Sequence, residues 1–125
     1  MDQAKIEEFI TQLCRYGEED KAFGAAFYEN LKADAEIMEE FLYFMEHGNF
    51  ACKVKVHGYT VVDIMIWQMD HFKAWLDRDT AGTRQNGDRM VLLSFDTFLK
   101  MRKDPEKYIQ KMQGETGTDY EGKYK

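Results

Sequence analysis

The three histidines, His47, His57 and His71, are the side chains whose chemistry most directly suggests a site in this sequence. Imidazole binds transition metals, and helical bundles hold such ions with Glu-x-x-His pairs whose two side chains share one helix face. Gln68 and His71 have this spacing, but an amide is a weak metal ligand and no second pair completes the set. We therefore predict no metal site and no cofactor.

Catalytic motifs are absent from the sequence. It contains no HExxH, GxSxG, P-loop or GxGxxG pattern, so the parts that supply zinc ligands, an activated serine or a phosphate cradle are missing. Cys14 and Cys52 are far apart and form no CxxC pair, which indicates reduced thiols in the cytoplasm. The N-terminal residues MDQAKIEEFI also lack the basic and apolar regions of a signal peptide. The sequence favours a non-catalytic protein with no catalytic residues.

The most apolar helix candidate spans about residues 60–78 and would be the central helix of the fold. Gln68 projects from the middle of its apolar face, where an unpaired amide costs about 1–3 kcal/mol. We therefore expect Gln68 to have a partner, which is either a backbone carbonyl or buried water, or a ligand. In the second case Trp67, Gln68 and His71 form a ligand-binding site.

The opposite edge of this helix carries Asp63, Asp70 and Asp77, spaced by seven residues, which we interpret as a solvated stripe or an interaction surface. The net charge is −6, with 12 acidic and 4 basic side chains in residues 1–50. This excess of acidic side chains in the first part of the chain indicates either complementary charged faces within one fold or a surface that binds a basic protein partner. Overall acidity argues against nucleic acid as the main ligand.

Apolar residues recurring at intervals of three and four predict an all-α fold, a compact single-domain bundle of five to six helices around the central helix. Predicted N-terminal caps at Asp20, Asp34 and Thr60 and stops at Gly17 and Gly48 help to place these helices at about 2–16, 21–31, 35–47, 61–78, 88–103 and 105–112. Residues 79–87 are predicted to be irregular. The domain is expected to cover residues 1–113, with a flexible tail at 114–125.

Residues 50–57 alternate apolar and polar side chains, which predicts one short extended, β-like segment before the central helix. A lone strand leaves its backbone unpaired. We expect it to cross over the bundle or to pair internally, for example with residues 90–93. Pairing with the same segment of a second subunit is the less favoured alternative.

These patterns predict a small cytoplasmic helical protein that acts as a protein-interaction or regulatory module. Its partner would be another protein or a second copy of the chain. The longest uninterrupted apolar run in the central helix, Ile64 to Trp67, argues against a membrane partner. The alternative is a small-ligand or metal-binding bundle, which could be an enzyme, with a polar site around Gln68 and His71.

Overall fold

The structure, a computed structural model, describes residues 3–68 and 83–111. These residues form six helices and no sheet, which confirms the predicted all-α bundle. The helices are α1 (Gln3–Leu13), α2 (Glu18–Lys32), α3 (Ala35–His47), α4 (described for 61–68), α5 (Thr83–Lys103) and α6 (Pro105–Lys111).

The core is organised around Phe41 on α3, which is fully buried. Its ring lies 5.9 Å from Phe9 of α1, 5.5 Å from Phe27 of α2 and 5.2 Å from Phe95 of α5, measured between ring centroids. One side chain therefore joins four helices. The described part of α4 contributes to the same core through Val61, Ile64 and Trp67.

Several helix ends agree with the predicted caps. The side chain of Asp34 accepts a hydrogen bond from the backbone N–H of Ile37, and Gly48 ends α3 in the left-handed conformation with φ +74°. At the start of α4, Thr60 Oγ1 accepts from the Asp63 N–H at 3.3 Å, and Asp63 Oδ2 accepts from the Thr60 N–H at 2.8 Å. This reciprocal pair is a capping box, and it places the helix start at residue 61.

The predicted junction between α1 and α2 is wrong by about one turn on each side. The first helix ends at Leu13 rather than Tyr16, and the second begins at Glu18 rather than Lys21. Asp20 was predicted to cap α2 but lies within its first turn, where its carboxylate accepts from the Tyr16 N–H at 3.0 Å. Asp20 therefore bonds to the loop before α2 from a position within the helix, and α2 is about one turn longer at its N-terminus than predicted.

Helix α5 begins at Thr83, so the predicted irregular conformation is wrong for residues 83–87. Gly87 lies within this helix, where a glycine costs about 1 kcal/mol of stability. The rest of the 21-residue helix packs against α1, α2 and α3, and this packing offsets the cost. Three predictions lie outside the described residues: the second half of the central helix, the irregular residues 79–82 and the tail 114–125.

Residues 48–60, here named the crossover, connect α3 to α4 and contribute Val56 to the core. Its only bridge within the described chain is antiparallel and joins Val56 to Tyr59. Cys52 has φ +54°, which interrupts the extended path that the alternating pattern predicted. The alternative of pairing with residues 90–93 is wrong because those residues lie in α5. The crossover path agrees with the favoured prediction.

Candidate functional site

Gln68 has the partner that the sequence required. Its Nε2 donates to Thr97 Oγ1 on α5 at 2.7 Å, so the partner is a side-chain hydroxyl rather than a backbone carbonyl or water. Its Oε1 is buried and accepts no hydrogen bond from any described residue. The neighbouring Trp67, also a member of the predicted ligand site, is buried in the core. His71, the third member of the predicted ligand site, lies outside the described residues.

The Gln68–Thr97 pair leads to a prediction about stability. Gln68→Leu is expected to lower the free energy of unfolding by about 1 kcal/mol, because the Thr97 hydroxyl loses its donor. The double variant Gln68→Leu/Thr97→Val is expected to recover most of that loss, because both polar partners are then gone. Urea unfolding of the two single variants and the double variant measures the coupling. Additive effects would show that the two side chains do not interact.

The predicted acidic stripe is represented by one described residue. Asp63 is half-buried and bonds to Thr60 in the capping box, so its carboxylate has a structural partner. Asp70 and Asp77 lie outside the described residues. The stripe as an interaction surface stays a prediction.

His47 and His57 are both exposed. The ring of His47 packs against that of Tyr43 with 4.3 Å between centroids and an angle of 42° between the ring planes, and His57 follows the bridge residue Val56 with φ +50°. Across residues 3–68 and 83–111, no three His, Cys, Asp or Glu side chains are grouped closely enough to hold a metal ion.

Glu40 is a buried carboxylate that the sequence interpretation missed. It is 4% exposed, and its Oε2 accepts from the backbone N–H of Val54 in the crossover at 2.6 Å. Its Oε1 has no hydrogen-bond donor among the described residues. The available signal was position, because Glu40 follows Ile37 by three residues and precedes Phe41, and both of these lie on the apolar face of α3. Burying a carboxylate with a single hydrogen-bond donor costs free energy, so Glu40 is a candidate for a functional role.

Arg89 of α5 fastens the turn between α1 and α2. Its Nη2 lies 3.0 Å from Asp20 Oδ1 and its Nη1 lies 3.3 Å from Asp20 Oδ2, while Nη1 also donates to the carbonyl of Leu13. Burial acts to raise the pKa of the Asp20 carboxyl, but hydrogen bonds from Arg89 and the Tyr16 N–H, with the Arg89 charge, hold that pKa below its usual value. The cation and the carboxylate neutralise each other.

An open cleft of about 600 Å³ lies beside this pair. Its lining combines an exposed tyrosine with the acidic first turn of α2. The lining residues are Tyr16, Gly17, Glu18, Glu19, Asp20, Phe23, Arg89 and Leu93. The first-turn carboxylates sit where the helix dipole is positive, and they give α2 a favourable N-terminus.

A second cleft of about 510 Å³ runs between α1 and α2. At its floor the two helices approach so closely that a Cβ on Gly24 would lie 2.8 Å from the Cβ of Cys14. Burial, with a smaller contribution from the Asp20 charge, raises the pKa of the Cys14 thiol to about 11. The thiol is therefore protonated at neutral pH and is a poor nucleophile.

Basic side chains at the end of α5 bond to this chain itself. The pairs join α5 to the region where α2 ends and α3 begins, and one lies within α5. They are Lys100–Asp96 at 2.9 Å, Arg102–Asp34 at 3.5 Å, Arg102–Glu36, and Lys103–Asn30 at 2.8 Å. These bonds show that Lys100, Arg102 and Lys103 pair with groups of the chain itself.

No protein-family model, curated protein or solved structure matches this chain. Within the described ranges, none of the helices combines the length and the apolar character that crossing a bilayer requires.

Proposed function

We propose that this chain is a non-catalytic module that binds a basic segment of another protein. The observation that carries the proposal is the exposed Tyr43 on the outward side of α3, with Glu39 four residues before it and Glu46 three residues after it. Side chains at these spacings share one helix face. Tyrosine is enriched in protein interfaces, where it offers a large surface with few rotatable bonds.

The charge on the first three helices supports a basic partner. In residues 3–48, eight carboxylates are exposed against four Lys and Arg side chains. Glu39 forms no ion pair with a described residue, and the one described ion-pair candidate for Glu46 is the imidazole of His47, at 4.0 Å. A partner that carries Lys or Arg would be attracted to this surface and could pair with it.

The chain itself contains an example of the proposed chemistry. Lys32 Nζ lies 2.9 Å from a carboxylate oxygen of Glu29 and 4.6 Å from the ring centroid of Tyr28. An ammonium group is thus held by a carboxylate and an aromatic face together, through an ion pair and a cation–π interaction. Tyr43 with Glu39 and Glu46 presents the same groups to an external cation.

Fluorescence anisotropy with a labelled lysine-rich peptide tests the proposal. Tyr43→Ala, and separately Glu39→Gln/Glu46→Gln, are expected to weaken binding at least about fivefold, which corresponds to about 1 kcal/mol of binding free energy. Glu7→Gln/Glu8→Gln removes the same charge from α1 and serves as the matched control, with a clearly smaller effect. Equal losses for the two double variants, with no effect of Tyr43→Ala, would show only long-range attraction and would contradict the proposal.

A second candidate is a small-ligand or metal-binding bundle centred on Gln68, with His71. It is favoured by the buried Gln68 Oε1, which accepts no hydrogen bond from the described residues. Native mass spectrometry of the untagged protein, purified without chelator, separates the candidates. A retained extra mass that Gln68→Leu abolishes would favour the ligand site, whereas a protein without extra mass would favour the interaction module. The same spectrum reports self-association.

The site of action that we propose is the cytoplasm. Cys14 and Cys52 are both free thiols, which fits a reducing compartment. Fractionation of cells that express the chain tests this proposal, and recovery outside the cytoplasm would contradict it.

A further inference from the structure

The crossover is attached to the helices by few bonds. Between Asn49 and Lys55, the only backbone N–H that donates to a described residue is that of Val54, whose acceptor is the Glu40 carboxylate. Phe50 adds an apolar contact, with its ring stacked 5.2 Å from that of Phe44. Segments with so few backbone bonds occupy the low end of the range of local stabilities in a folded protein.

The closed crossover also contains backbone strain. Cys52 and His57 have φ of +54° and +50°, in the left-handed region that L residues adopt at a cost. Gly48 and Gly58, with φ of +74° and +83°, occupy the same region without that cost. Opening would relieve the strain at Cys52, whereas His57 is held by the local Val56–Tyr59 turn, and the two glycines allow the backbone to turn at positions 48 and 58.

Glu40 makes closure depend on one charged group. In the closed state 4% of Glu40 is exposed, and the crossover supplies the carboxylate with a single donor, the Val54 N–H. Its other oxygen has no donor among the described residues, whereas water in an open state would solvate both. The charge-assisted bond to Val54 favours the closed state, and the hydration of Glu40 and the released strain favour the open state.

We propose that the crossover opens as a unit while the helices stay folded, and that the bond from Val54 to Glu40 is the latch that closes it. Opening uncovers the Glu40 carboxylate and the ring of Phe44 on α3. This conformational change is independent of the proposed binding surface, because Glu39, Tyr43 and Glu46 are exposed in the closed state.

Native-state amide hydrogen exchange, read by NMR at low urea concentrations, tests both parts of the proposal. In the wild type, the Val54 and Val56 amides are expected to exchange with almost no dependence on urea, whereas the Phe95 amide in α5 exchanges with the steep dependence of global unfolding. Glu40→Gln is expected to speed exchange at Val54 and Val56 about tenfold, because the charge-assisted bond becomes a neutral one. Exchange at Phe95 should change much less.

Glu39→Gln provides the matched control, because it removes the same charge from the adjacent exposed position on α3. It is expected to leave exchange at Val54 and Val56 unchanged. The opening would be refuted if Val54 and Val56 followed the urea dependence of Phe95 in the wild type, a measurement that needs no variant. The latch would be refuted if Glu40→Gln changed their exchange no more than Glu39→Gln does.

Discussion

Replacing Phe41 by alanine is expected to lower the free energy of unfolding by about 3–5 kcal/mol. The ring is fully buried and lies within 6 Å, between centroids, of rings on three other helices, Phe9, Phe27 and Phe95. Alanine would leave a cavity where those helices meet, and the surrounding rings can fill it only in part. The effect is large because one substitution removes packing from four helices at once.

Urea unfolding followed by far-ultraviolet circular dichroism measures this loss. Tyr43→Ala, two residues along the same helix, is the matched control, because 37% of Tyr43 is exposed. Its effect should stay within about 0.5 kcal/mol, as for most surface positions. Phe41→Leu should retain more stability than Phe41→Ala, because leucine refills part of the cavity. Similar losses at positions 41 and 43 would contradict the central place of Phe41.

Replacing Arg89 by methionine is expected to cost about 2–3 kcal/mol, somewhat below the range for fully buried ion pairs. The side chains of Arg89 and Asp20 are 21% and 15% exposed, so solvent screens the pair in part. Methionine keeps much of the apolar stem but leaves the Asp20 carboxylate and the Leu13 carbonyl without the guanidinium donors. Arg15→Met, at an exposed arginine near the same turn, should change stability by less than about 0.5 kcal/mol.

The pH dependence of stability distinguishes the ion pair from lost packing. The folded state lowers the pKa of Asp20, so the pair stabilises the protein above the unfolded pKa of about 3.9 and loses that contribution as pH falls through the folded value. The stability difference between wild type and Arg89→Met should therefore shrink on acidification below about pH 4. A difference that stays constant with pH would mean that Arg89 acts through packing alone.

The features that could be predicted from sequence are those decided within a few residues. The caps at Asp34, Gly48 and the Thr60–Asp63 pair each involve a side chain or a φ angle and backbone groups no more than four residues away. Their residue types are chosen by local geometry, so periodicity and capping rules locate them. The need of Gln68 for a partner could be predicted in the same way, because it follows from one polar residue on an apolar face.

The identities of distant partners could not be predicted. Arg89 lies 69 residues from Asp20, and Thr97 lies 29 residues from Gln68, and no local pattern specifies which polar groups a fold brings together. Asp20 shows the consequence, since a residue that local rules assign to a cap is instead held inside α2 by its bonds to Tyr16 and Arg89. Tertiary contacts decide between local alternatives of similar energy.

Alternation in residues 50–57 was informative about burial but misleading about pairing. Val54 and Val56 face inward while Lys53 and Lys55 are exposed, as a strand would place them. The backbone N–H of Val54 donates to a carboxylate on α3, that of Glu40, rather than to a neighbouring strand. A period of two therefore identified which side chains face the protein, but the left-handed residue at Cys52 could not be inferred from it.

The fastening of α5 to the first two helices has a consequence for the order in which the chain becomes structured during synthesis. The carbonyl of Leu13 cannot form its hydrogen bond until Arg89, 76 residues later in the sequence, has been synthesised. At translation rates of about 5–20 residues per second, the interval between the synthesis of the two residues is about 4–15 s. During this interval Phe41 has no ring from α5 to cover it, so the nascent chain exposes apolar surface that a chaperone can shield.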